Sequence, residues 1–181
     1  MSAVDLIRRL HEHRVWVNRN LRDAARGLSE ESLRQSFQIG QGSIWKSLVH
    51  MYAAEFVWLE SLHGNERATL PGDVPDRLPG NQLGQGGITT FAQLERKWNE
   101  LDANWLSYLD ELTEPDLAQI VVRIGSDGVR RSTQRGDVLL HVCTHAHYTT
   151  AQVVNMLRQV GAKKLPDVML IALARQQIGN P

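Results

Sequence analysis

The chain contains 181 residues, of which 42% are hydrophobic, and its 20 lysine and arginine residues balance its 20 aspartate and glutamate residues. A chain of this length can bury enough apolar surface to fold without disulfides, and we predict a single domain over residues 1–181. Because the chain has no net charge, it lacks the positive field that attracts nucleic acid, and we expect no nucleic-acid partner.

The cysteine count and the hydropathy pattern bear on the cellular compartment. Cys143 is the only cysteine, so no intramolecular disulfide can form. Residues 1–5 lack the basic and apolar regions of a signal peptide, and no apolar run approaches the roughly 20 residues of a membrane-spanning helix. We therefore expect a cytoplasmic protein without a membrane partner.

The first two predicted helices cover residues 3–28 and 43–64. Ser43 is the predicted N-cap of the second helix, since a serine hydroxyl can accept a hydrogen bond from a free backbone N–H group. The inward face of the first helix is predicted from side chains that recur at intervals of three and four: Leu6, Leu10, His13, Val17, Leu21, Ala24 and Leu28.

Residues 65–89 are rich in proline and glycine, which predicts a long crossover loop. Such a loop either covers a pocket or simply connects two distant helix ends, and the second alternative is the default. A third predicted helix follows, and Thr90 and Gln93 form its capping box. Its core-facing stripe comprises Phe91, Leu94, Trp98, Leu101, Trp105, Tyr108 and Leu112.

The last third of the chain contains a predicted hairpin and two predicted helices. Residues 119–124 and 129–133 flank a Gly-Ser-Asp-Gly tetrapeptide, in which Asp-Gly favours a tight reversal. The fourth helix covers residues 138–161, and a final helix covers residues 166–177. The predicted fold is therefore all-α, a four-helix bundle with a short β-hairpin before the fourth helix and an extra C-terminal helix.

Histidines on the fourth predicted helix mark a candidate functional site. At about 3.6 residues per turn, His141 and His145 lie one turn apart, where they could share a metal ion. His50 on the second helix is the candidate third ligand. The alternative is that these are core histidines that hydrogen-bond across the bundle. The face expected to pack inward comprises Val138, His141, His145, Tyr148, Thr149, Gln152 and Met156.

Other residues with reactive or charged side chains have more ordinary interpretations. Glu55 lies about 140° around the helix from His50, so we expect a salt bridge or an interhelical hydrogen bond in place of metal ligation. Cys143 is expected to be a small buried apolar residue. His147 is expected on the surface or at a dimer interface, and the pattern assigns no role to His11.

These residues together resemble the DinB family of four-helix-bundle metalloenzymes, over nearly the full chain. The second helix shows the family pattern as Gly42-Ser43-Ile44, His50, Glu55 and Trp58, and the fourth shows it as Leu139-Leu140-His141, His145, Gln152 and residues 156–161. The resemblance implies a homodimeric bundle in which three histidines hold a divalent metal, zinc or nickel. It also implies a small-molecule substrate and a low-molecular-weight thiol, bound as thiolate for S-transfer or isomerisation in stress or detoxification.

By position, His50 and His145 match two of the implied metal ligands, but Thr149 stands at the third. A threonine hydroxyl is a poor ligand for zinc or nickel beside imidazole. Three alternatives follow: a two-histidine site completed by water or another side chain, a site displaced by one turn in which His141 and His145 form the pair, or no metal. In the first, Thr149 could bond a bound water and Gln152 could orient a ligand. The protein is then a metal-dependent enzyme, or a non-catalytic bundle that binds a small ligand or acts through a dimer surface.

Overall fold

The computed structural model describes residues 1–75 and 77–179 and shows a bundle of four long helices. The helices are α1 (Ala3–Arg26), α2 (Glu30–Arg34), α3 (Ile44–Leu62), α4 (Phe91–Glu111), α5 (Arg135–Gln159) and α6 (Leu170–Gln177). Strands β1 (Ile120–Ile124) and β2 (Arg130–Gln134) pair antiparallel, after a short 3-10 helix, Glu114–Ala118. This architecture confirms the predicted fold class and the position of the hairpin before the last long helix.

The long helices α1, α3, α4 and α5 surround one apolar core. Helix α5 packs against both α1 and α3, and α4 closes the bundle by packing against the same two helices. The indoles of Trp98 and Trp105 are fully buried in the core, as the stripe of the third predicted helix indicated. Among residues 1–75 and 77–179, no helix is both long and apolar enough to cross a membrane.

Local signals set the helix starts, as predicted. The Ser43 hydroxyl accepts a hydrogen bond from the backbone N–H of Lys46 at the start of α3. Thr90 and Gln93 form the expected capping box at the start of α4. The Asp-Gly reversal lies between β1 and β2, where Gly128 adopts a φ of +73°. The final helix is shorter than predicted, since it begins only at Leu170.

The predicted inward face of α1 is wrong in part. Leu6 is 52% exposed, although Val17 and Leu21 are buried as expected. The face that packs into the bundle mixes apolar and polar side chains: Val4, Ile7, His11, Arg14, Val17, Asn18, Leu21, Arg22 and Ala25. The expected face of α5 is also wrong at Tyr148, which is 68% exposed, and at His141, which is exposed as well. Spacing along a single helix misplaces its buried face when polar groups are buried with partners on other helices.

Glu55 on α3 supplies the partner that draws these polar groups inward. Its buried carboxylate accepts hydrogen bonds from Arg14, from Asn18 Nδ2 at 2.7 Å and from Trp98 Nε1 at 3.2 Å. One acidic side chain therefore joins α1, α3 and α4. The predicted salt bridge of Glu55 is confirmed, and it lies inside the bundle.

His11 is almost completely buried beside Trp105, with 4.9 Å between the ring centroids. Its Nε2 lies 3.1 Å from the carbonyl oxygen of Leu139. Because a carbonyl can only accept, Nε2 carries the proton, and Nδ1 has no hydrogen-bond partner among the described residues. Burial, followed by the nearby Arg14 charge, lowers the pKa of His11 well below 6.5.

The lowered pKa of His11 makes the free energy of unfolding depend on pH. Below about pH 6.5 the unfolded histidine takes up a proton that folded His11 does not, so stability is lost as the pH falls. When the pH falls from 7 to 5, the free energy of unfolding should decrease less in His11→Gln than in the wild type. The two decreases should differ by up to about 2 kcal/mol. Urea unfolding at both pH values measures this difference. His63→Gln, at an exposed position, is the control, and an unchanged pH dependence in His11→Gln would contradict the assignment.

Candidate functional site

An open cavity of about 340 Å³ lies between α3, α5, β1 and the crossover loop. The predicted histidines His50, His141 and His145 all line it. The remaining walls are formed by Ala54, Val57 and Trp58 of α3, Arg123 and Ile124 of β1, Gly125 and Ser126 of the hairpin, and loop residues 67–70, 73–75, 77 and 79. The two helices that carry the histidine pattern therefore share one cavity.

The crossover loop covers this cavity, so the default expectation of a plain connection is wrong. Gly80 adopts a φ of +85° directly above α3, where a Cβ atom would lie 2.8 Å from the Cα of His50. Only glycine permits both this backbone conformation and this close approach. The Asp73 carboxylate holds the loop in shape by accepting hydrogen bonds from the backbone N–H groups of Gly80 and Gln82, at 2.7 and 2.9 Å.

His50 and His145 form a direct pair across the two helices. Their Nε2 atoms lie 3.2 Å apart, and their ring centroids are separated by 5.1 Å. His50 Nδ1 lies 2.8 Å from the carbonyl oxygen of Pro79, which can only accept, so Nδ1 carries the proton. In the neutral form of His50 the lone pair of Nε2 therefore points at His145, whose Nε2 donates when no other group lies between them.

The electrostatic surroundings keep His145 neutral at physiological pH. Burial, together with the nearby His50 and His141, lowers the pKa of His145 to about 4. A neutral imidazole can ligate a metal or exchange a proton, whereas an imidazolium cannot ligate. The site thus presents an uncharged His145 imidazole whose Nε2 lies close to the Nε2 of His50.

The spacing of the pair fits two ligands of one metal ion. Two nitrogens bound at about 2.0–2.1 Å to a tetrahedral zinc are separated by roughly 3.3 Å, close to the 3.2 Å between His50 Nε2 and His145 Nε2. The Pro79 carbonyl also orients His50 as carbonyl groups orient metal-binding histidines. The two imidazole nitrogens therefore fit two of the ligand positions of a single metal ion.

A third protein ligand is missing from the described residues. Across residues 1–75 and 77–179, no three His, Cys, Asp or Glu side chains are grouped closely enough to hold a metal. Thr149 is buried, at 3% exposure, and does not line the cavity. The ring of His141 lies 5.8 Å from that of His145 and packs edge-on against Trp58 at 5.4 Å.

Other predicted residues lie outside the cavity. Gln152 packs over Gly40, where a Cβ atom would meet its Oε1 at 2.6 Å. Burial raises the pKa of the Cys143 thiol to about 12, so it stays protonated, in agreement with its expected role as a small apolar residue. His147 is exposed on the opposite side of α5. These side chains take no direct part in the cavity.

Arg123 lines the cavity, although the sequence analysis did not identify it. Successive side chains of a β-strand point to opposite faces, so Arg123 lies on the same face of β1 as buried Val121. That two-residue spacing was a usable signal, because a charged side chain on the inward face of a short strand indicates a polar partner or a ligand.

The comparisons with known proteins identify the family of the chain and support its helical fold. The model of the DinB family matches residues 1–177. The chain belongs to the DinB family. It is 24% identical over 165 residues to protein DinB of Bacillus subtilis (strain 168), and the match covers 90% of each chain. A crystal structure of a DinB-like protein from Bacillus cereus ATCC 10987 superposes with a TM-score of 0.60 at 17% identity, over 86% of this chain and 92% of that one.

Membership of the DinB family confirms the resemblance inferred from the two histidine-bearing helices. The family match spans all four long helices, the hairpin and α6. The structural likeness supports the same helical fold. The cavity with His50 and His145 is therefore built on a complete DinB-type bundle.

Proposed function

We propose that this DinB family protein is a small-molecule enzyme whose reactive centre is the His50–His145 pair, and that these two residues would hold a divalent metal, zinc or nickel. The observation that carries the proposal is the 3.2 Å approach of the two nitrogens inside a loop-covered cavity. When bound, such an ion lowers the pKa of a thiol or water and so supplies a nucleophile near neutral pH. The reaction class proposed is thiol-dependent S-transfer or isomerisation.

The residues of the chain have distinct parts in this proposal. His50, fixed by the Pro79 carbonyl, and His145, kept neutral by its surroundings, hold the metal. Without the metal, the same two nitrogens share one proton, with His145 as donor and His50 as acceptor. Ala54 and Val57 form part of the apolar wall of the cavity. A water molecule or the substrate completes the ligand set.

Zinc binding tests the proposal directly. We expect the wild-type protein, purified without a histidine tag, to bind about one zinc ion per chain in competition with a colorimetric chelator. His50→Ala and His145→Ala should each weaken binding by at least about tenfold, because each removes one of only two imidazole ligands. His63→Ala is the control, since His63 lies outside the cavity. Absence of zinc binding, or equal binding by all four proteins, would contradict the proposal.

A second candidate function is a non-catalytic binding protein. The observation in its favour is that the described residues offer no third metal ligand. In this case the loop-covered cavity binds a small ligand without metal, or the bundle acts through a dimer surface. The proposal also includes the homodimer that the family resemblance implies, and the apolar side chains of Leu170 and Ile171 exposed on α6 would suit such an interface.

A further inference from the structure

At the wall of the cavity, Arg123 has N–H groups that donate to no protein group among the described residues. Its Nη1 donates to the Ser61 hydroxyl oxygen at 3.3 Å and to the Ala68 carbonyl at 3.4 Å. Its guanidinium lies 5.5 Å from the ring centroid of Trp58. In the described part of the chain, Nε and Nη2 donate to no protein group. The hydrogen bonds of Nη1 and the contact with Trp58 orient the guanidinium. Its Nε and Nη2 groups stay available for a ligand.

The charge of Arg123 has no protein counter-ion among residues 1–75 and 77–179. The neighbouring arginines of the hairpin differ, since Arg130 pairs with Glu66 and Arg131 pairs with Asp127. The acid that lines the cavity in the described chain, Asp73, uses both oxygens to bind the loop at Gly80 and Gln82. A half-buried cation without a counter-ion is costly, and an anionic ligand would remove that cost.

The surroundings of Arg123 favour an organic anion over a bare inorganic one. Trp58 and Val57 form an apolar wall next to the guanidinium. The ring centroid of Trp58 lies 5.4 Å from that of His141, which in turn lies 5.8 Å from that of His145. This row of rings leads from Arg123 toward the reactive pair. A ligand can therefore place its charged end on Arg123 and its apolar body on Trp58 while its other end approaches His145.

We propose that the cavity binds an organic carboxylate, with Arg123 as the residue that anchors the carboxylate group. One guanidinium edge presents two parallel N–H donors, which match the two oxygens of a planar carboxylate and its single negative charge. The assignment names the substrate class for the proposed function and rests on the proposal that this cavity is the working site.

Paired carboxylates and amides test the anchor. Isothermal titration calorimetry at low salt would compare benzoate, phenylacetate and hexanoate with their primary amides, which have the same shape without the charge, and with inorganic phosphate. We expect at least one carboxylate to bind at least about tenfold more tightly than its amide and more tightly than phosphate. Arg123→Met should reduce that carboxylate's affinity to that of the amide. Arg123→Lys, which keeps the positive charge without the two parallel N–H donors, should retain part of the preference for the carboxylate.

Arg130→Met is the matched control, because Arg130 lies on the adjacent strand, is exposed and is already paired with Glu66. Circular dichroism would show that each variant is folded. The proposal is overturned if no carboxylate binds better than its amide, if phosphate binds best, or if Arg123→Met and Arg130→Met lose affinity equally.

Metal-free protein and the variant His50→Ala separate this inference from the proposed function. The carboxylate preference should persist in both, because Arg123 does not contact the histidine pair. Zinc binding without a carboxylate preference would overturn the anchor alone. A carboxylate preference without zinc binding would support the anchor and leave the protein as a metal-independent binder.

Discussion

Replacing Glu55 by alanine is expected to lower the free energy of unfolding by about 3–5 kcal/mol, because it leaves a buried charge without its partner. Arg14 is 3% exposed, so its guanidinium would remain largely buried when the carboxylate is removed. The substitution also takes the hydrogen-bond acceptor away from Asn18 and Trp98. Chemical unfolding in urea with circular dichroism measures the loss.

Glu66→Ala is the matched control for Glu55→Ala. Glu66 pairs with Arg130 at the surface, with side-chain exposures of 37% and 59%, so its removal should leave the free energy of unfolding nearly unchanged. The double variant Arg14→Met/Glu55→Met should recover part of the loss, because it removes both buried charges together. If Glu55→Ala stays within about 1 kcal/mol of the wild type, the buried ion pair does not hold the bundle together.

Replacing Thr149 by histidine is expected to raise zinc affinity by about a hundredfold or more. Position 149 lies one turn after His145 on α5, where its side chain is buried, and it matches the third ligand position that the family resemblance implies. A third imidazole would complete the set of three protein ligands typical of catalytic zinc. Even residues that only support a ligand change metal affinity 10–100-fold.

Thr149→Asn is the matched control, since it adds a side chain of intermediate size without a strong metal ligand. Chelator competition gives the zinc affinities, and urea unfolding shows how much stability the larger side chains cost at this buried position. A folded Thr149→His protein with unchanged zinc affinity would show that α3 and α5 do not bring position 149 within reach of the metal.

The sequence predicted those parts of the structure that depend on nearby residues. The Ser43 cap and the Thr90–Gln93 capping box bond to backbone groups three residues away. The stripe around Trp98 follows from helical spacing alone, and the β-hairpin follows from Asp-Gly between two short strands. Such signals survive any tertiary arrangement, which is why the fold class and the family resemblance could both be inferred.

The candidate site was predicted only as a set of residues. His50 and His145 are 95 positions apart, and no spacing rule shows that their Nε2 atoms approach to 3.2 Å. Arg123 reaches the same cavity because the hairpin docks on α3 and on the crossover loop, where Ser61 and Ala68 accept its Nη1 hydrogens. Helical periodicity fixes directions around one helix and contains no information about which turn of another helix lies opposite.

The sequence alone therefore determined the helices, their caps, the hairpin and the family, since each depends on local geometry or on a pattern of residue types. The tertiary structure decided which polar residues are buried. Arg14 and Asn18 face inward at the expense of Leu6 because Glu55, 41 and 37 positions away, satisfies their hydrogen bonds. It also decided that the crossover loop covers the histidine pair, because Gly80 can approach His50 only once the two segments are packed together. Burial of polar groups and assembly of a site depend on partners distant in sequence, whose positions local patterns do not contain.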